Sequence, residues 1–353
     1  MNQESLEFLK EMIKSPSPSG FEQAAAEIWA ERTKKFADEI KTDLHGNSIA
    51  LLKGAERPRV MLAGHIDEIG YMIKYIDKEG YLYFSPVGGI DLHLVPGQRV
   101  WIYTAKGKLL GVIGKKPIHL MEAEERKTVA KIDQLWIDIG AKDEEEAKIL
   151  VSIGDCAVPA VGFEMLQNRK AVGRGFDDKA GAFTVSETLR LLAGKKERPT
   201  VYGVATVQEE VGLRGAKTSA FGLSPDVGIA IDVTFASDFP GMNKKKNGEI
   251  SLGKGPVIAR GPNINPKVFD LLVKAAEDND IPYQVEGIPR GTGTDANVIQ
   301  LTRSGVAAGL VSIPNRYMHT PVEVIDLTDL ENTSLLLAAF ISGIDENTDF
   351  LPF

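Results

Sequence analysis

Hydrophobic and polar positions follow two different periods along this chain of 353 residues. Apolar residues recur every three to four positions near the N-terminus and in several later segments, which is the spacing of amphipathic helices. Continuous apolar runs lie between these segments and are typical of buried strands. The pattern predicts helices near the N-terminus and over 21–37, 179–193, 266–279 and 327–341, and strands over 59–64, 201–208, 227–233 and 307–313.

The helical pattern nearly vanishes between about residues 70 and 161. Short β-branched or aromatic segments separated by glycine-containing turns replace it: YMIKYI, GYLYFSPV, RVWIYT and KLLGVIGK. Such segments indicate a small β-barrel or sandwich. We therefore predict an α/β fold with a mixed sheet flanked by helices, formed by residues 1–68 and 165–353, and an inserted β-rich, barrel-like domain over 69–164.

Composition excludes several classes of partner. The net charge of −8 and the absence of a basic stripe argue against nucleic acid. No apolar run approaches the roughly 20 residues of a membrane-spanning helix, so no membrane partner is expected. Cys156 is the only cysteine, which agrees with a reducing compartment, and the N-terminus lacks the apolar stretch of a secretion signal. These features predict a cytoplasmic protein.

Residues with coordinating side chains follow the predicted buried strands. Because ligand sites in open α/β sheets lie outside the carboxyl ends of the strands, these side chains could converge. They are His65, Asp67, Glu209, Glu210, Asp232 and His319, and Asp177 and Asp178 lie in a glycine-rich loop before a helix. Taken singly, each has an ordinary explanation as a helix cap, a surface acid or a core histidine.

Together, two imidazoles and several carboxylates without a thiolate suit a catalytic site for Zn²⁺, Co²⁺ or Mn²⁺. Five ligands are too many for one tetrahedral ion but fit a pair of ions that share a carboxylate. Hydrolysis by such a site also needs an unligated carboxylate as a base. The adjacent Glu209 and Glu210 could divide these two tasks.

Five segments resemble the motifs of the tetrahedral aminopeptidases, which include glutamyl and deblocking aminopeptidases. The segments are AGHIDE (63–68), GRGFDDKAG (173–181), QEEVGLRGA (208–216), AIDV (230–233) and YMHTPVE (317–323). No single motif is decisive, but the five occur in the family's order and the resemblance spans essentially the whole chain. The resemblance implies an aminopeptidase that removes residues from the free N-terminus of peptides.

The resemblance also implies individual roles. Asp177 would bridge two divalent ions, Zn²⁺ or Co²⁺ with Mn²⁺ as a further choice. The first ion would be completed by His65 and Asp232 and the second by Glu210 and His319. Glu209 would be the general base, and Asp67 would orient His65 through its second ring nitrogen. A cis peptide between Asp177 and Asp178 and a dodecameric tetrahedron, with dimer contacts made by the inserted domain, are further expectations.

Two other functions are open at this stage. A metal-independent glycoside hydrolase, an endoglucanase, also uses two carboxylates, but it leaves His65 and His319 unexplained. A non-catalytic scaffold would have no use for an unligated Glu209.

Side-chain preference is a separate open question. Arg260, Arg290 and the run 244–246 could favour an acidic first residue of the substrate, or could be exposed loop charges. Gly291, Thr292 and Gly293 could offer backbone contacts to substrate, or could precede a helix capped by Thr294 or Asp295.

Overall fold

The computed structural model describes residues 1–195 and 198–353. It divides into two compact units. The first contains Met1–Asp67, Gly162–Met318 and Val322–Phe353, and the second contains Glu68–Val161 and His319–Pro321. The dimer contacts that the resemblance implies for the inserted segment stay a prediction.

Both units contain helices and strands. The helices are α1 Gln3–Lys14, α2 Gln23–Thr33, α3 Glu144–Leu150, α4 Phe176–Leu192, α5 Arg214–Leu223, α6 Lys244–Asn247, α7 Pro266–Asp278, α8 Ala296–Ile299 and α9 Leu327–Ser342. The strands are β1 Glu39–Thr42, β2 Ser48–Leu52, β3 Ala55–His65, β4 Gly70–Ile76, β5 Leu82–Val87, β6 Arg99–Thr104, β7 Gly107–Gly114, β8 Trp136–Asp138, β9 Cys156–Pro159, β10 Glu164–Met165, β11 Lys170–Gly173, β12 Pro199–Thr206, β13 Val227–Phe235, β14 Val257–Arg260, β15 Gln284–Gly287, β16 Ala307–Asn315 and β17 Glu323–Asp326.

The first unit contains an eight-stranded mixed sheet in the order β1-β2-β12-β3-β13-β16-β14-β15. Its central strands β12, β3, β13 and β16 are parallel, whereas β2 and β14 join them antiparallel. Apart from the exposed first three residues of β3, the central strands are mostly buried, as expected for a sheet with helices on both faces. This confirms the predicted mixed α/β fold.

Helix α4 packs closely on β3 just before His65, the last residue of that strand. A Cβ at Gly64 would lie 2.4 Å from the main-chain carbon of Gly181, so a glycine is required where the strand crosses the helix. The parallel register also pairs Thr206 at the end of β12 with His65 at the end of β3. The side chains at these strand ends therefore lie at one edge of the sheet.

A small antiparallel sheet, β10-β11-β17, lies beside this edge. It pairs Gly173 with Glu323, residues far apart in the sequence. Glu323 Oε2 accepts a hydrogen bond from the main-chain N–H of Asp177 at 3.1 Å. The short sheet thus anchors the start of α4.

The second unit is a closed barrel with the strand order β4-β5-β8-β7-β6-β9, which confirms the predicted barrel. Its core contains Tyr71, Val100, Ile102 and Ile137. The unit also contains α3, which begins where the Asp143 side chain accepts a hydrogen bond from Glu146 N–H.

None of the helices in residues 1–195 and 198–353 combines the length and the apolar character needed to cross a membrane.

Candidate metal centre

His65 lies at the end of β3 with only 2% of its surface exposed. Its Nε2 is 3.2 Å from Asp177 Oδ1. Its Nδ1 is 3.1 Å from the main-chain oxygen of Asp67 and 3.4 Å from Asp67 Oδ1. One ring nitrogen therefore faces a carboxylate and the other is held by Asp67, an arrangement common for metal-binding histidines.

Asp177 and Asp178 occupy the first turn of α4 but do not have helical backbone angles. The peptide bond between them is cis, as the sequence resemblance implies. Asp178 accepts hydrogen bonds from the main-chain N–H of His65 at 3.1 Å and of Gly181 at 2.9 Å, one on each carboxylate oxygen. Asp178 thus fastens α4 to the end of β3, and its neighbour Asp177 faces the imidazole.

Two overlapping groups of side chains have the spacing of metal ligands. His65, Asp177 and Glu210 form one group, and His65, Asp178 and Asp232 form the other. Within each group the coordinating atoms lie within 4.8 Å of one another. Four of the five predicted ligands are therefore brought together by the first unit.

Glu209 and Glu210 follow β12 in a turn whose main-chain N–H groups point at Asp67. Glu209 N–H donates to Asp67 Oδ1 at 3.0 Å and Glu210 N–H to Asp67 Oδ2 at 3.2 Å. Ser19 Oγ also donates to Asp67 Oδ2, at 2.6 Å. The carboxylate of Glu209 lies 3.8 Å from His65 Nε2 and is buried.

The cluster concentrates negative charge in a buried space. Burial, together with the charges of Asp232, Asp295 and Glu210, raises the pKa of Glu209 to about 10 against the opposing effect of His65. Burial and the Asp177 charge likewise raise the pKa of Asp232 well above its usual range. Burial would lower the pKa of His65, but the surrounding carboxylates raise it well above its ordinary value.

Carboxylates packed in this way are costly to bury unless cations neutralise them. The donor set of carboxylates and imidazole contains no thiolate and suits Zn²⁺, Co²⁺ or Mn²⁺ in a catalytic role. The described residues therefore fit divalent cations.

His319, the remaining predicted ligand, belongs to the second unit. Its Nδ1 lies 2.7 Å from the main-chain oxygen of Gly89. A hydrogen bond at Nδ1 leaves Nε2 as the nitrogen suited to a metal. Its ligand role stays a prediction.

The predicted substrate-binding residues lie on β14 and on the loop before α8. Arg260 is exposed and its guanidinium stacks 5.0 Å from the Phe269 ring centre, and Arg290 is also exposed. Thr292 N–H donates to Asn297 Oδ1 at 2.9 Å, which holds the loop that contains Gly291 and Gly293. Their contact with substrate stays a prediction.

Sequence reasoning missed Asp295, which it considered only as a helix cap. Asp295 is buried, and its Oδ2 accepts a hydrogen bond from Thr206 Oγ1 at 2.6 Å. Burial raises its pKa to about 6. The glycine-rich segment around it reads as an ordinary loop, and only the fold brings it against the end of β12.

Comparison with known sequences identifies the family. The sequence profile of the M42 glutamyl aminopeptidases matches residues 46–336. The chain belongs to this family. It is an aminopeptidase, and its buried carboxylate–imidazole cluster lies at the strand ends of the fold.

Individual relatives match over nearly the full length. A lysyl aminopeptidase from Pyrococcus furiosus is 41% identical over 349 residues, covering 98% of this chain and 99% of the relative. The structure is similar to a TET aminopeptidase from a marine sediment archaeon of the Thaumarchaeota, with a TM-score of 0.93, 38% identity and coverage of 97% of both chains.

A second solved structure bears on assembly. The Pyrococcus horikoshii TET1 peptidase, which can assemble into a tetrahedron or a large octahedral shell, matches with a TM-score of 0.87 and 35% identity. The match covers 96% of this chain and 100% of that chain.

Proposed function

We propose that this chain is a two-metal aminopeptidase that hydrolyses the first peptide bond of peptides with a free N-terminus. Asp177 would bridge two divalent ions, with His65 and Asp232 on one and Glu210 and His319 on the other. Zn²⁺ or Co²⁺ suits this donor set best, and Mn²⁺ is also compatible. The short distance from His65 Nε2 to Asp177 Oδ1, 3.2 Å, supports the sharing of one ion by these two residues.

Asp178 belongs to the anchoring structure in this proposal, although its oxygens lie near Asp232 and His65. Both of its oxygens accept main-chain hydrogen bonds. An oxygen used in this way has less lone-pair density for a cation, whereas Asp177 presents Oδ1 to the imidazole. The family resemblance and the hydrogen bonds therefore favour the same assignment.

Bound ions would polarise the scissile carbonyl and lower the pKa of a shared water towards about 7. A side chain of the protein must then transfer the proton of this water to the leaving amine. Glu209 would take the proton of the attacking water and pass it to the leaving amine. The main-chain N–H of Glu209 donates to Asp67, which also contacts His65 Nδ1. Asp67 therefore positions both the proposed base, Glu209, and the proposed ligand, His65.

One observation carries this proposal. The buried cluster contains a carboxylate beyond the proposed ligand set, and this carboxylate, Glu209, lies 3.8 Å from the imidazole of His65. A purely structural metal site needs no such group, because its ligands fill the coordination shell. A base is required only where water must be activated.

Self-association is a further part of the proposal, because a relative of similar length forms closed shells. We propose that this chain forms a homo-oligomer, a tetrahedral dodecamer built from dimers, and that the second unit makes the dimer contacts. That unit exposes the large apolar residues Ile118, Leu120, Ile149 and Ile153, and a dimer contact would remove such apolar surface from water.

Metal removal separates this function from the glycoside hydrolase alternative. The purified protein is treated with EDTA, its metal content is measured, and hydrolysis of aminoacyl substrates and of carboxymethyl cellulose is followed in parallel. We expect peptidase activity to disappear with the metal and to return when Zn²⁺ or Co²⁺ is added. Full peptidase activity in a metal-free sample, or cellulose hydrolysis that survives EDTA, would contradict the proposal.

A further inference from the structure

Three successive main-chain N–H groups after β12 donate to carboxylates from elsewhere in the first unit. Glu209 and Glu210 donate to Asp67, as described above. The first N–H of the series, that of Gln208, donates instead to Glu22 Oε1 at 3.1 Å. The turn that carries the proposed base is therefore held by two carboxylates, and Glu22 holds its beginning.

Glu22 occupies an unusual position for this contact. It is the N-cap residue of α2, yet its side chain makes no capping hydrogen bond to that helix. The same Oε1 atom accepts from Gly20 N–H at 2.7 Å and from Gln208 N–H, and 7% of the residue is exposed. The buried carboxyl of Glu22 therefore does not cap its own helix but accepts a hydrogen bond from the turn after β12.

The turn needs such support because Gln208 has a left-handed backbone, with φ of 55°. This conformation is unfavourable for a non-glycine residue, and the surroundings must maintain it. The next residue is Glu209, and its Oε2 lies 3.8 Å from His65 Nε2. A change of the Gln208 backbone to a right-handed or extended conformation would change the direction of the adjacent Glu209 side chain.

The loop between α1 and α2 supplies further contacts of this kind. Ser17 Oγ donates to the main-chain oxygen of Ile66 at 2.7 Å, and Ser19 Oγ donates to Asp67. The loop therefore touches the end of β3 through its serines and the turn after β12 through Glu22. It joins the two strand ends that carry the proposed ligands and base.

We infer that Glu22 is a positioning residue for the hydrolysis reaction: its Oε1 fixes the left-handed turn at Gln208 and thereby aims the carboxylate of Glu209. The inference rests on the proposed function, in which Glu209 is the base. It predicts that kcat depends on the position of the accepting oxygen of residue 22 and not on the negative charge of that side chain. Two variants of opposite character separate these properties.

Glu22→Gln keeps an oxygen at the same reach and removes the charge, whereas Glu22→Asp keeps the charge and shortens the side chain by one methylene. We expect Glu22→Gln to retain kcat within about twofold. Glu22→Asp should lower kcat by about 10- to 100-fold, since displacement of a catalytic group by about 1 Å has effects of this size. KM and bound metal should be unchanged in both.

The opposite ranking, with Glu22→Asp active and Glu22→Gln impaired, would show that charge is what matters and would overturn the inference. Equal behaviour of the two variants would overturn it as well, as would loss of metal or a raised KM in Glu22→Asp. Glu27→Ala, an exposed position on the same helix, is the control for general effects on α2 and should leave all three quantities unchanged.

The Glu209→Gln background separates this inference from the proposed function. If Glu22 acts through Glu209, adding Glu22→Asp to Glu209→Gln should cause no further fall in kcat. A further tenfold fall would overturn the inference while leaving Glu209 as the base. A Glu209→Gln protein with wild-type kcat would instead refute the proposed function itself.

Discussion

Buried carboxylates in this chain differ in what their oxygens contact. Asp329, in the first turn of α9, accepts hydrogen bonds from the N–H groups of Gly253 and Gly255, each at 2.7 Å. These main-chain donors satisfy both of its oxygens. In the candidate metal centre, by contrast, Asp177 and Glu209 face the imidazole of His65. The hydrogen bonds to Asp329 hold a loop in place, whereas the carboxylates around His65 have the arrangement of a cation-binding site.

Asp329 gives a prediction about pH that is independent of metal. Burial raises its pKa to about 7 against the lowering effect of the two N–H groups, whereas an unfolded aspartate titrates near 3.9. Between these values the folded state holds a proton that the unfolded state has released. Stability contributed by this residue therefore falls as pH rises from about 4 to about 7, by up to about 1.4 kcal/mol per pH unit.

The measurement is the free energy of unfolding in urea at pH about 5 and about 7. The wild type should lose about 2 kcal/mol relative to Asp329→Asn over this interval, because the asparagine does not titrate. Asp270→Asn, at an exposed position, should follow the wild type. Parallel pH curves for the wild type and Asp329→Asn would show that the carboxyl of Asp329 is ionised throughout.

The residues of the candidate site could be predicted from the sequence more completely than the hydrogen bonds that hold them. His65 ends β3, Asp232 lies in the last half of β13, and Glu210 follows β12. The parallel register of these three apolar strands brings the side chains to one edge of the sheet. The anchoring role of Asp178 could not be predicted, because it depends on the N–H of His65, which is 113 residues away in the chain. Asp295 was missed for the same reason.

At the scale of elements, α5, the helix that follows the turn containing Glu209 and Glu210, packs closely against the sheet at its N-terminal end. A Cβ on Gly215 would lie 2.3 Å from Asn47 Oδ1 and 2.5 Å from the main-chain nitrogen and oxygen of Val207. Near the other end of the same helix, a Cβ on Gly222 would meet nothing within 4 Å. The two glycines therefore offer a matched comparison.

Gly215→Ala should destabilise the protein by about 1–3 kcal/mol, since main-chain atoms cannot yield to the new methyl group without moving α5. Gly222→Ala should stabilise it by up to about 1 kcal/mol, because alanine has the higher helix propensity. Urea unfolding of both variants tests the prediction. Equal stability of the two proteins would mean that α5 has room to shift.

The long elements could be predicted from the sequence, and the short ones could not. The predicted helices at 266–279 and 327–341 agree with α7 and α9 to within a residue, because their apolar faces are long enough to show a period. Strands β10, β11 and β17 have two to four residues each, and β11 pairs with β17 across more than 140 positions. Such pairs leave no local pattern to detect.

At the scale of the whole molecule, the proposal assigns the base and four of the five metal ligands to the first unit, and the fifth ligand, His319, together with the dimer contacts to the second. In the second unit, Ile118, Leu120, Ile149 and Ile153 are 57–68% exposed. Replacing all four with serine should leave the barrel folded, since the barrel core is formed by other residues. The oligomer should then separate into smaller species, because burial of exposed apolar area stabilises most protein interfaces.

Light scattering coupled to gel filtration measures the molar mass before and after these changes. Phe221→Ser with Leu301→Ser is the control, since these residues are 59% and 76% exposed in the first unit. The control should keep the wild-type mass. An unchanged mass for the fourfold variant, or dissociation of the control alone, would refute the assignment of dimer contacts to the apolar surface of the second unit.

The central claim is that adjacent glutamates perform different tasks, and joint measurement of turnover and metal content tests it most directly. Glu209→Gln removes the proton acceptor and keeps the proposed ligands, so turnover should fall by about 10²- to 10⁴-fold with both ions bound. Glu210→Gln replaces an anionic ligand with a neutral amide and should lose metal. Full activity in Glu209→Gln, or loss of metal equal to that of Glu210→Gln, would contradict the account.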